Sequence, residues 1–259
     1  MAVTTTRRRI VMGLAVLLFG ALTGGCVEPA GTGGGLQNLS GIAPASDGRY
    51  PTPEVDLPLK DINLQQLVNE APDGSVVAIP LGRYVLSKSL TIARRKKLHL
   101  AFAPGTQLRV TDTDTAVILI EDCHDLKISG VRARHVEPLP EYECHGAVLS
   151  IHDSTNVVID NCELNGCGAI GVSARKSTLS VMNCHIHHNS FNALYFSECE
   201  ALVVGNIIEH NASTFQAYKC GEIIWSDNLI QNNGGYWRET RKPGLRLESE
   251  PDLRPTTND

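Results

Sequence analysis

The hydrophobic pattern of this chain repeats every 22 residues in its second half. Short runs in which apolar and polar residues alternate are separated by polar turns, and the runs of successive repeats line up in columns. Two such columns are Ile159, Val181, Val203, Trp225 and Leu164, Ile186, Ile208, Ile230. Alternating runs predict β-strands, and a fixed period of this length predicts a solenoid whose coils bury apolar columns against their neighbours.

One segment near the start of the periodic region follows a different pattern. Apolar residues at Leu64, Leu67 and Val68 have helical spacing, which predicts a short amphipathic helix between Asp61 and Ala71. The Pro-Asp-Gly sequence that follows Ala71 is a strong stop signal. Such a helix can cover the open end of a solenoid, where strand edges would otherwise be exposed.

The segments that follow this helix resemble a known superfamily. Residues 75–86, 89–92 and 97–106 are similar to the N-terminal portion of right-handed parallel β-helix proteins of the pectate-lyase-like superfamily. The shared features are a capping helix, a first turn with a Leu-Pro-x-Gly-x-Tyr-like sequence, and a strand that ends near Pro-Gly-Thr. The resemblance covers about residues 60–233 and implies an all-β fold: a single right-handed parallel β-helix of roughly six turns built from PbH1-type repeats, with about 22 residues per turn and a short N-terminal capping helix.

The N-terminus carries the features of an export signal. Arg7, Arg8 and Arg9 precede an apolar run over residues 10–23, which is short for a membrane span and typical of a signal peptide. The small residues before Cys26 resemble a bacterial lipobox. We therefore predict that residues 1–25 are a signal peptide and that Cys26 is lipidated, which would anchor the protein to a membrane in the periplasm or at the cell surface. Simple secretion is the alternative.

The remaining chain divides by composition. Residues 27–58 are rich in Gly, Pro, Ser and Thr, and this composition predicts a flexible tether. Residues 59–235 form the predicted β-helix domain. Residues 236–259 are predicted to be a disordered tail. The coil period is interrupted at residues 135–144, where two prolines predict a loop insertion. Insertions of this kind usually project from one face of a solenoid.

The charge balance bears on the partners of the protein. The chain has 23 basic and 28 acidic side chains, and removal of residues 1–25 would take away three arginines and leave 20 basic side chains. This acidic balance disfavours nucleic acid as a partner. It also disfavours polyanionic substrates, unless a local basic patch focuses the field.

The chain has eight cysteines, and seven remain when Cys26 is set aside, so at least one is free or pairs between chains. Cys162 and Cys184 share a column, which permits a disulfide between neighbouring coils or two small core residues. No CxxC sequence occurs, and a zinc site built on cysteines is not expected.

Strand alternation predicts one patch of titratable residues. It brings together His185, His187, His188, Glu209 and His210. An imidazole beside a carboxylate can act as a general base, which makes His187 and Glu209 catalytic candidates. Several imidazoles can hold a divalent metal, which makes His185, His187 and His210 candidate ligands and a divalent metal the candidate cofactor. The alternative is a set of solvated turn residues.

A second predicted strip lies on another sheet. Its outward positions are expected to be Ser150, Gly171, Tyr195 and Gln216, followed at the corner by His152, Arg175, Tyr218 and Lys219. Aromatic and hydrogen-bonding groups on a flat sheet can bind sugars, so Tyr195, Gln216 and Tyr218 are candidate substrate-binding residues. The resemblance to polysaccharide lyases, which often use a basic side chain as the proton acceptor, makes Arg175 and Lys219 catalytic candidates. The alternative is that these charges are only solvated.

These patterns lead to two hypotheses of function. The first is an exported β-helix protein that recognises a polysaccharide or cell-envelope glycan, and in its enzymatic form cleaves or modifies it by lyase or hydrolase chemistry. The second is a non-catalytic structural, interaction or metal-binding module of the periplasm. Whether the protein is an enzyme is left open by the sequence, because this superfamily hosts many chemistries and inert members.

Overall fold

The computed structural model describes residues 56–136, 145–165 and 169–234, which contain one short helix and twenty short strands. The helix is α1 (Leu64–Glu70). The strands, in chain order, are β1 (Val76–Ile79), β2 (Arg83–Leu86), β3 (Leu90–Ala93), β4 (His99–Phe102), β5 (Gln107–Val110), β6 (Ile118–Glu121), β7 (Lys127–Ser129), β8 (Arg132–His135), β9 (Leu149–His152), β10 (Val157–Asp160), β11 (Glu163–Asn165), β12 (Ile170–Arg175), β13 (Thr178–Met182), β14 (His185–His187), β15 (Asn192–Ser197), β16 (Glu200–Val204), β17 (Ile207–Glu209), β18 (Ser213–Tyr218), β19 (Ile223–Ser226) and β20 (Leu229–Gln231).

The strands form three parallel sheets, because each strand pairs with the strand that lies three positions earlier in the chain. Sheet 1 has the order β1-β4-β7-β10-β13-β16-β19, sheet 2 the order β2-β5-β8-β11-β14-β17-β20, and sheet 3 the order β3-β6-β9-β12-β15-β18. Six complete coils of three strands are followed by two strands of a seventh. This is a right-handed parallel β-helix of about six turns with a repeat of about 22 residues, as the sequence predicts.

The hydrophobic columns of the sequence form the interior of the coil. In sheet 1, Ile159, Val181, Val203 and Trp225 stand in register on neighbouring strands and are buried. In sheet 2 the same holds for Leu164, Ile186 and Ile208. Stacking of mostly aliphatic side chains fills a narrow core with few large rings, among them Trp225, which agrees with an aromatic content of 5%.

Tight turns join the sheets, and we call them corner 1 (sheet 1 to sheet 2), corner 2 (sheet 2 to sheet 3) and corner 3 (sheet 3 to sheet 1). Each corner has a residue with positive φ, such as Asn183 at corner 1, His188 at corner 2 and Lys176 at corner 3. Asparagine tolerates this left-handed backbone well, and the repetition of the geometry keeps successive coils aligned.

An asparagine ladder at corner 2 links successive coils. The Asn211 Oδ1 atom accepts hydrogen bonds from the backbone N–H and the side-chain amide of Asn189, at 3.0 and 2.8 Å, and Asn233 does the same for Asn211. Asn211 also donates to the carbonyl oxygens of Ile186 and Glu209. The column of Asn189, Asn211 and Asn233 therefore has a structural role.

Cysteine and serine take the ladder positions at the other two corners. At corner 1 the backbone N–H of Cys184 donates to Asn206 Oδ1 at 2.8 Å, and at corner 3 the N–H of Ser154 donates to Ser177 Oγ at 3.0 Å. Cys162 and Cys184 are buried free thiols, as are Cys123 and Cys199, while Cys220 is a partly buried free thiol. The cysteines of the described chain are thus small core and corner residues, which is one of the two alternatives left by the sequence. Cys26, Cys144 and Cys167 lie outside the described residues.

Helix α1 covers the first coil. Leu64 and Val68 are buried against it, and the side-chain amide of Gln65 bonds both the N–H and the carbonyl of Thr91 on β3, each at 2.8 Å. Gln65 therefore supplies the hydrogen bonds that a neighbouring strand would supply to this edge. The predicted capping helix is confirmed, between Leu64 and Glu70.

One expectation about register needs correction. In sheet 3 the inward pair of β12 is Val172 and Ala174, so that Ser173, and not Gly171, stands outward beside Ser150 and Tyr195. Gly171 is buried, and a Cβ atom there would approach the carbonyl oxygen of Ala193 to 2.6 Å. The alternation of apolar residues cannot show this shift, because Ile170 and Val172 also fit an inward pair.

The insertion begins later than the sequence indicates. His135 is the last residue of β8 and is buried, with Nε2 at 2.7 Å from the carbonyl oxygen of Thr115. Residues 137–144, the predicted signal peptide, the tether up to residue 55 and the tail from residue 235 lie outside the described residues. Within the described ranges no helix has the length and apolar character needed to cross a membrane.

The ladder yields a stability prediction. Replacing Asn211 by alanine leaves the backbone N–H and amide of Asn189 without their acceptor, in a buried place, so we expect the free energy of unfolding to fall by about 3 kcal/mol. Denaturant-induced unfolding measures this change.

Two further variants make the prediction specific. Asn211→Ser keeps an acceptor oxygen, as Ser177 does at corner 3, and should lose less stability than Asn211→Ala. Asn69→Ala removes an exposed helix asparagine and should change stability by less than about 0.5 kcal/mol. Equal losses for Asn69→Ala and Asn211→Ala would contradict a special role of the ladder.

Candidate functional site

The predicted histidine patch is assembled on the outer face of sheet 2 and at corner 2. Strand β14 carries His185 and His187, strand β17 ends at Glu209, and His188 and His210 occupy the positive-φ positions that follow these strands. The rings of His185 and His187 stack with centroids 4.0 Å apart, and those of His188 and His210 with centroids 5.1 Å apart. We call these five residues, together with Glu163, the histidine cluster.

The Glu209 carboxylate binds His185. One oxygen lies 2.9 Å from His185 Nε2, and the other accepts a hydrogen bond of 2.6 Å from Gln231 Nε2. The sequence predicts that His187 and Glu209 are neighbours, and they are register partners on adjacent strands. The carboxylate nevertheless contacts the imidazole of the other outward histidine on β14.

His187 is enclosed between a carboxylate and a second imidazole. Its side chain is 5% exposed, its Nε2 lies 3.5 Å from Glu163 Oε1, and its Nδ1 lies 2.8 Å from Nδ1 of His188. A short contact between two imidazole nitrogens needs one N–H donor and one lone pair. The pair therefore favours a state in which His187 and His188 do not both carry a proton at Nδ1.

Burial and neighbouring charges shift the pKa values in the cluster. Burial lowers the pKa of His188 to about 4, and the nearby imidazoles of His187 and His210 add to this effect. Burial also lowers the pKa of His187, against the opposing influence of Glu163. Burial alone would raise the pKa of Glu163, but hydrogen bonds from His187 and Arg132 and the guanidinium charge hold it at about 2. At neutral pH the cluster thus combines the neutral imidazoles of His187 and His188 with the ionised carboxylate of Glu163.

This arrangement bears on the two roles predicted for the cluster. Both ring nitrogens of His187 have partners and its ring is covered, so its imidazole is poorly placed to take a proton from a ligand. Among the described residues no group of three or more His, Cys, Asp or Glu side chains is arranged so that it could hold a metal ion. His185 and His210 both face the Glu209 carboxylate, at 2.9 and 3.8 Å, whereas His187 faces Glu163, and the metal role predicted for these three histidines stays a prediction.

A cleft of about 350 Å³ borders the cluster at corner 1. Arg132, Glu163 and His185 form one wall, and Gly105 and Gly130 leave room at the corner. Arg132 holds Glu163 through two hydrogen bonds of 2.6 and 2.9 Å. The repeat pattern does not point to Arg132. This residue lies in an earlier coil, which the insertion separates from β11, and it is therefore outside the strict 22-residue period.

The second predicted strip is the outer face of sheet 3, which we call the platform. Register places two parallel rows of outward side chains across β9, β12, β15 and β18. The rows are Ser150, Ser173, Tyr195, Gln216 and His152, Arg175, Ser197, Tyr218, and among them Ser197 is buried. Hydroxyl, amide, imidazole, guanidinium and aromatic groups therefore repeat at the strand spacing of about 4.8 Å.

The three candidate sugar-binding residues lie together on this platform. Tyr195 is the register partner of Gln216, and Tyr218 stands one row away, 43% exposed. The Gln216 Oε1 atom is 3.4 Å from Asn192 Nδ2, which orients the amide. Lys219 Nζ lies 5.1 Å from the centre of the Tyr218 ring, so this candidate base is at the corner beside an aromatic surface.

Arg175 and His152 are register partners at the ends of β12 and β9, on the edge of the platform next to corner 3. The imidazole Nε2 of His152 is 2.9 Å from Ser150 Oγ on the same strand. His152 Nδ1 is buried without a hydrogen-bond partner, and Glu121 is the register partner of His152 on the coil before. The sequence predicts a corner position for His152. Alternation along β9 also indicates that Ser150 and His152 share a face.

The family of the chain follows from its sequence match. The model of the right handed beta helix region family matches residues 106–251, more than half of the 259-residue chain. The chain belongs to this family. Neither the curated proteins nor the solved structures contain a match to it.

Membership of the right handed beta helix family explains the coils but does not assign an activity, because one fold hosts many functions. The surfaces of this β-helix must therefore carry the functional argument. Among its thiols, Cys199 is a poor nucleophile, since burial raises its pKa to about 11 and keeps it protonated. The roles of His187, Glu209, Arg175 and Lys219 in catalysis stay predictions, as does lipidation of Cys26.

The histidine cluster should make the β-helix sensitive to acid. A histidine whose pKa is depressed in the folded state contributes stability above its unfolded pKa of about 6.5, and this contribution is lost as pH falls through the folded pKa. Glu163, with a folded pKa of about 2, loses its contribution as pH falls below about 4.5. We expect the free energy of unfolding to drop by roughly 2 kcal/mol between pH 7 and pH 4.

Urea unfolding at a series of pH values measures this slope. His188→Gln should flatten the curve between pH 6.5 and pH 4, where the folded His188 resists protonation. His124→Gln removes an exposed imidazole at corner 3 and is the matched control. A slope that is unchanged in His188→Gln would show that the cluster does not cause the acid sensitivity.

Proposed function

We propose that this β-helix recognises a polysaccharide along the platform on sheet 3. The observation that supports this most is the alignment of the two outward rows on β9, β12, β15 and β18. A polysaccharide offers repeated hydroxyl groups and repeated apolar ring faces. Rows of hydrogen-bonding groups with aromatic rings in between match that chemistry along an extended, flat ligand.

Individual side chains have distinct roles in this proposal. The ring of Tyr195 stacks against a sugar face, while the amide of Gln216 and the hydroxyl of Ser173 exchange hydrogen bonds with sugar hydroxyl groups. Arg175 and His152 provide charged or polar contacts in the second row. The glycan would belong to the cell envelope or to the surroundings of the cell, in keeping with the export predicted from the N-terminus.

The binding proposal is tested with Tyr195→Ala. Loss of one stacking ring should weaken binding to a recognised polysaccharide about tenfold, measured by affinity electrophoresis over a panel of neutral and uronate glycans. Tyr195→Phe keeps the ring and should bind nearly as well as the wild type. Ile207→Ala, on the outer face of sheet 2, removes an exposed side chain of another face and should have no effect.

The same glycan panel separates recognition from cleavage. Lyase chemistry releases unsaturated products that absorb ultraviolet light, and a rise in absorbance that disappears in Arg175→Gln would assign this chemistry to the platform. Binding with flat absorbance would assign a non-catalytic recognition module. Absence of binding to every glycan, or equal binding by wild type and Tyr195→Ala, would contradict the proposal.

A further inference from the structure

A serine and a histidine on the platform form a hydrogen-bonded pair. Ser150 Oγ lies 2.9 Å from His152 Nε2, and both residues are on β9, two positions apart. Alternation along the strand therefore points both side chains to the outer face of sheet 3. Both are only partly buried, so a ligand on the platform can reach them. A serine hydroxyl that is hydrogen-bonded to an imidazole is the arrangement in which histidine activates serine as a nucleophile.

An exposed cation stands beside this pair. Arg175 is the register partner of His152 on the neighbouring strand, β12, and its side chain is exposed. Within the described chain it forms no ion pair, whereas Arg132 on sheet 2 is held by Glu163. The guanidinium of Arg175 is therefore available to stabilise negative charge that develops on an oxygen near Ser150.

The other ring nitrogen of His152 indicates where a third group belongs. Nδ1 is buried and makes no hydrogen bond within the part of the chain that the structure describes. A buried N–H without an acceptor is costly. Glu121, the register partner of His152 on β6, has an exposed side chain at the adjacent position. Rotation of this carboxylate toward Nδ1 would supply the acceptor and fix the tautomer in which Nε2 takes the proton of Ser150.

The neighbours of Ser150 indicate the size and place of the group that it would meet. Leu119 on β6 is the register partner of Ser150 on the side away from β12. A single leucine offers an apolar contact to a small acyl group such as acetyl, whereas a long acyl chain needs a larger apolar surface. Tyr195 stands two strands from Ser150, about 9.6 Å at the strand spacing, so a sugar stacked there brings substituents of neighbouring sugars over Ser150.

We propose that Ser150 and His152 hydrolyse small acyl esters, such as acetate, on the hydroxyl groups of the glycan bound to the platform. This activity rests on the glycan recognition proposed above. A polysaccharide carries many hydroxyl groups that can be esterified. The row of Ser150, Ser173, Tyr195 and Gln216 runs across the strands, in the direction in which such a chain would lie.

The reaction has two balanced steps. In the first, Ser150 Oγ forms a bond to the ester carbonyl carbon and gives its proton to His152 Nε2, while Arg175 stabilises the oxyanion. The C–O bond to the sugar then breaks, and His152 gives the proton to the sugar oxygen, which leaves an acyl group on Ser150. In the second step water attacks this acyl group and gives a proton to His152, and Ser150 recovers that proton as its bond breaks. The products are the free sugar hydroxyl and a carboxylic acid.

Hydrolysis of p-nitrophenyl acetate by the full chain tests this chemistry, because the small ester requires no glycan binding. Ser150→Ala and His152→Gln should each lower kcat/KM about 100-fold or more. A fluorophosphonate probe should label the wild type at Ser150, as located by peptide mass spectrometry, and should not label Ser150→Ala. On an acetylated polysaccharide, the wild type should release acetate and Ser150→Ala should not.

Matched variants separate the pair from its surroundings. Ser129→Ala removes the hydroxyl of a second serine–histidine contact, 2.8 Å from His99 Nε2 on sheet 1, and should leave the rate nearly unchanged. Glu121→Gln should lower kcat about tenfold with little change in KM, because Glu121 orients His152 without touching the ester. Asp153→Asn removes another exposed carboxylate next to His152 and is the control for Glu121→Gln. Circular dichroism checks the folding of each variant, and labelling of the wild type needs no variant.

Three results would overturn the inference. One is a wild type that neither hydrolyses p-nitrophenyl acetate nor takes the probe at Ser150. Another is an equal loss of rate in Ser129→Ala and Ser150→Ala. The third is a rate that falls in His152→Gln but not in Ser150→Ala, which would make the imidazole itself the nucleophile. Affinity electrophoresis measures glycan binding without hydrolysis, so a failure of glycan recognition and a failure of ester cleavage are told apart.

Discussion

At all three kinds of corner of this β-helix, backbone N–H groups turn away from the ladder of the sheets. Side chains in the corner columns accept these hydrogen bonds from the coil before: Asn211 from Asn189, Asn206 from Cys184, and Ser177 from Ser154. A buried N–H without a partner is costly, so this contact is a condition for stacking one coil on the next. The corner columns therefore keep the 22-residue repeat in step over successive coils.

Strict stacking also organises the outer surface. Because neighbouring coils stand about 4.8 Å apart in register, any outward position becomes part of a row that crosses several strands. The platform on sheet 3 and the histidine cluster on sheet 2 are both built from such rows, with different chemistry. Polar and aromatic groups form the platform and packed imidazoles form the cluster, so the side chains alone distinguish the two surfaces.

The histidine cluster shows how neighbours change the chemistry of a row. An outward histidine on a β-helix would normally be solvated, yet His187 is covered by Glu163 on one side and His188 on the other. Burial lowers the pKa of both imidazoles, while the Glu163 carboxylate stays ionised through Arg132. The same packing that creates perturbed groups also engages their nitrogens, and for this reason we place glycan recognition on the platform and not on the cluster.

The sequence by itself determined the repeat, the inward columns, the capping helix and the gathering of His185, His187, His188, Glu209 and His210, because these follow from a period of 22 and from strand alternation. Only the tertiary structure decided which partners the side chains take: Glu209 binds His185, Ser173 replaces Gly171 on the platform, and Arg132 reaches Glu163 across the insertion. Register within β12 depends on backbone packing at Gly171, and the pair of Arg132 and Glu163 joins two coils that the insertion separates. Periodicity cannot show either, since both depend on distances between atoms that are remote in the chain.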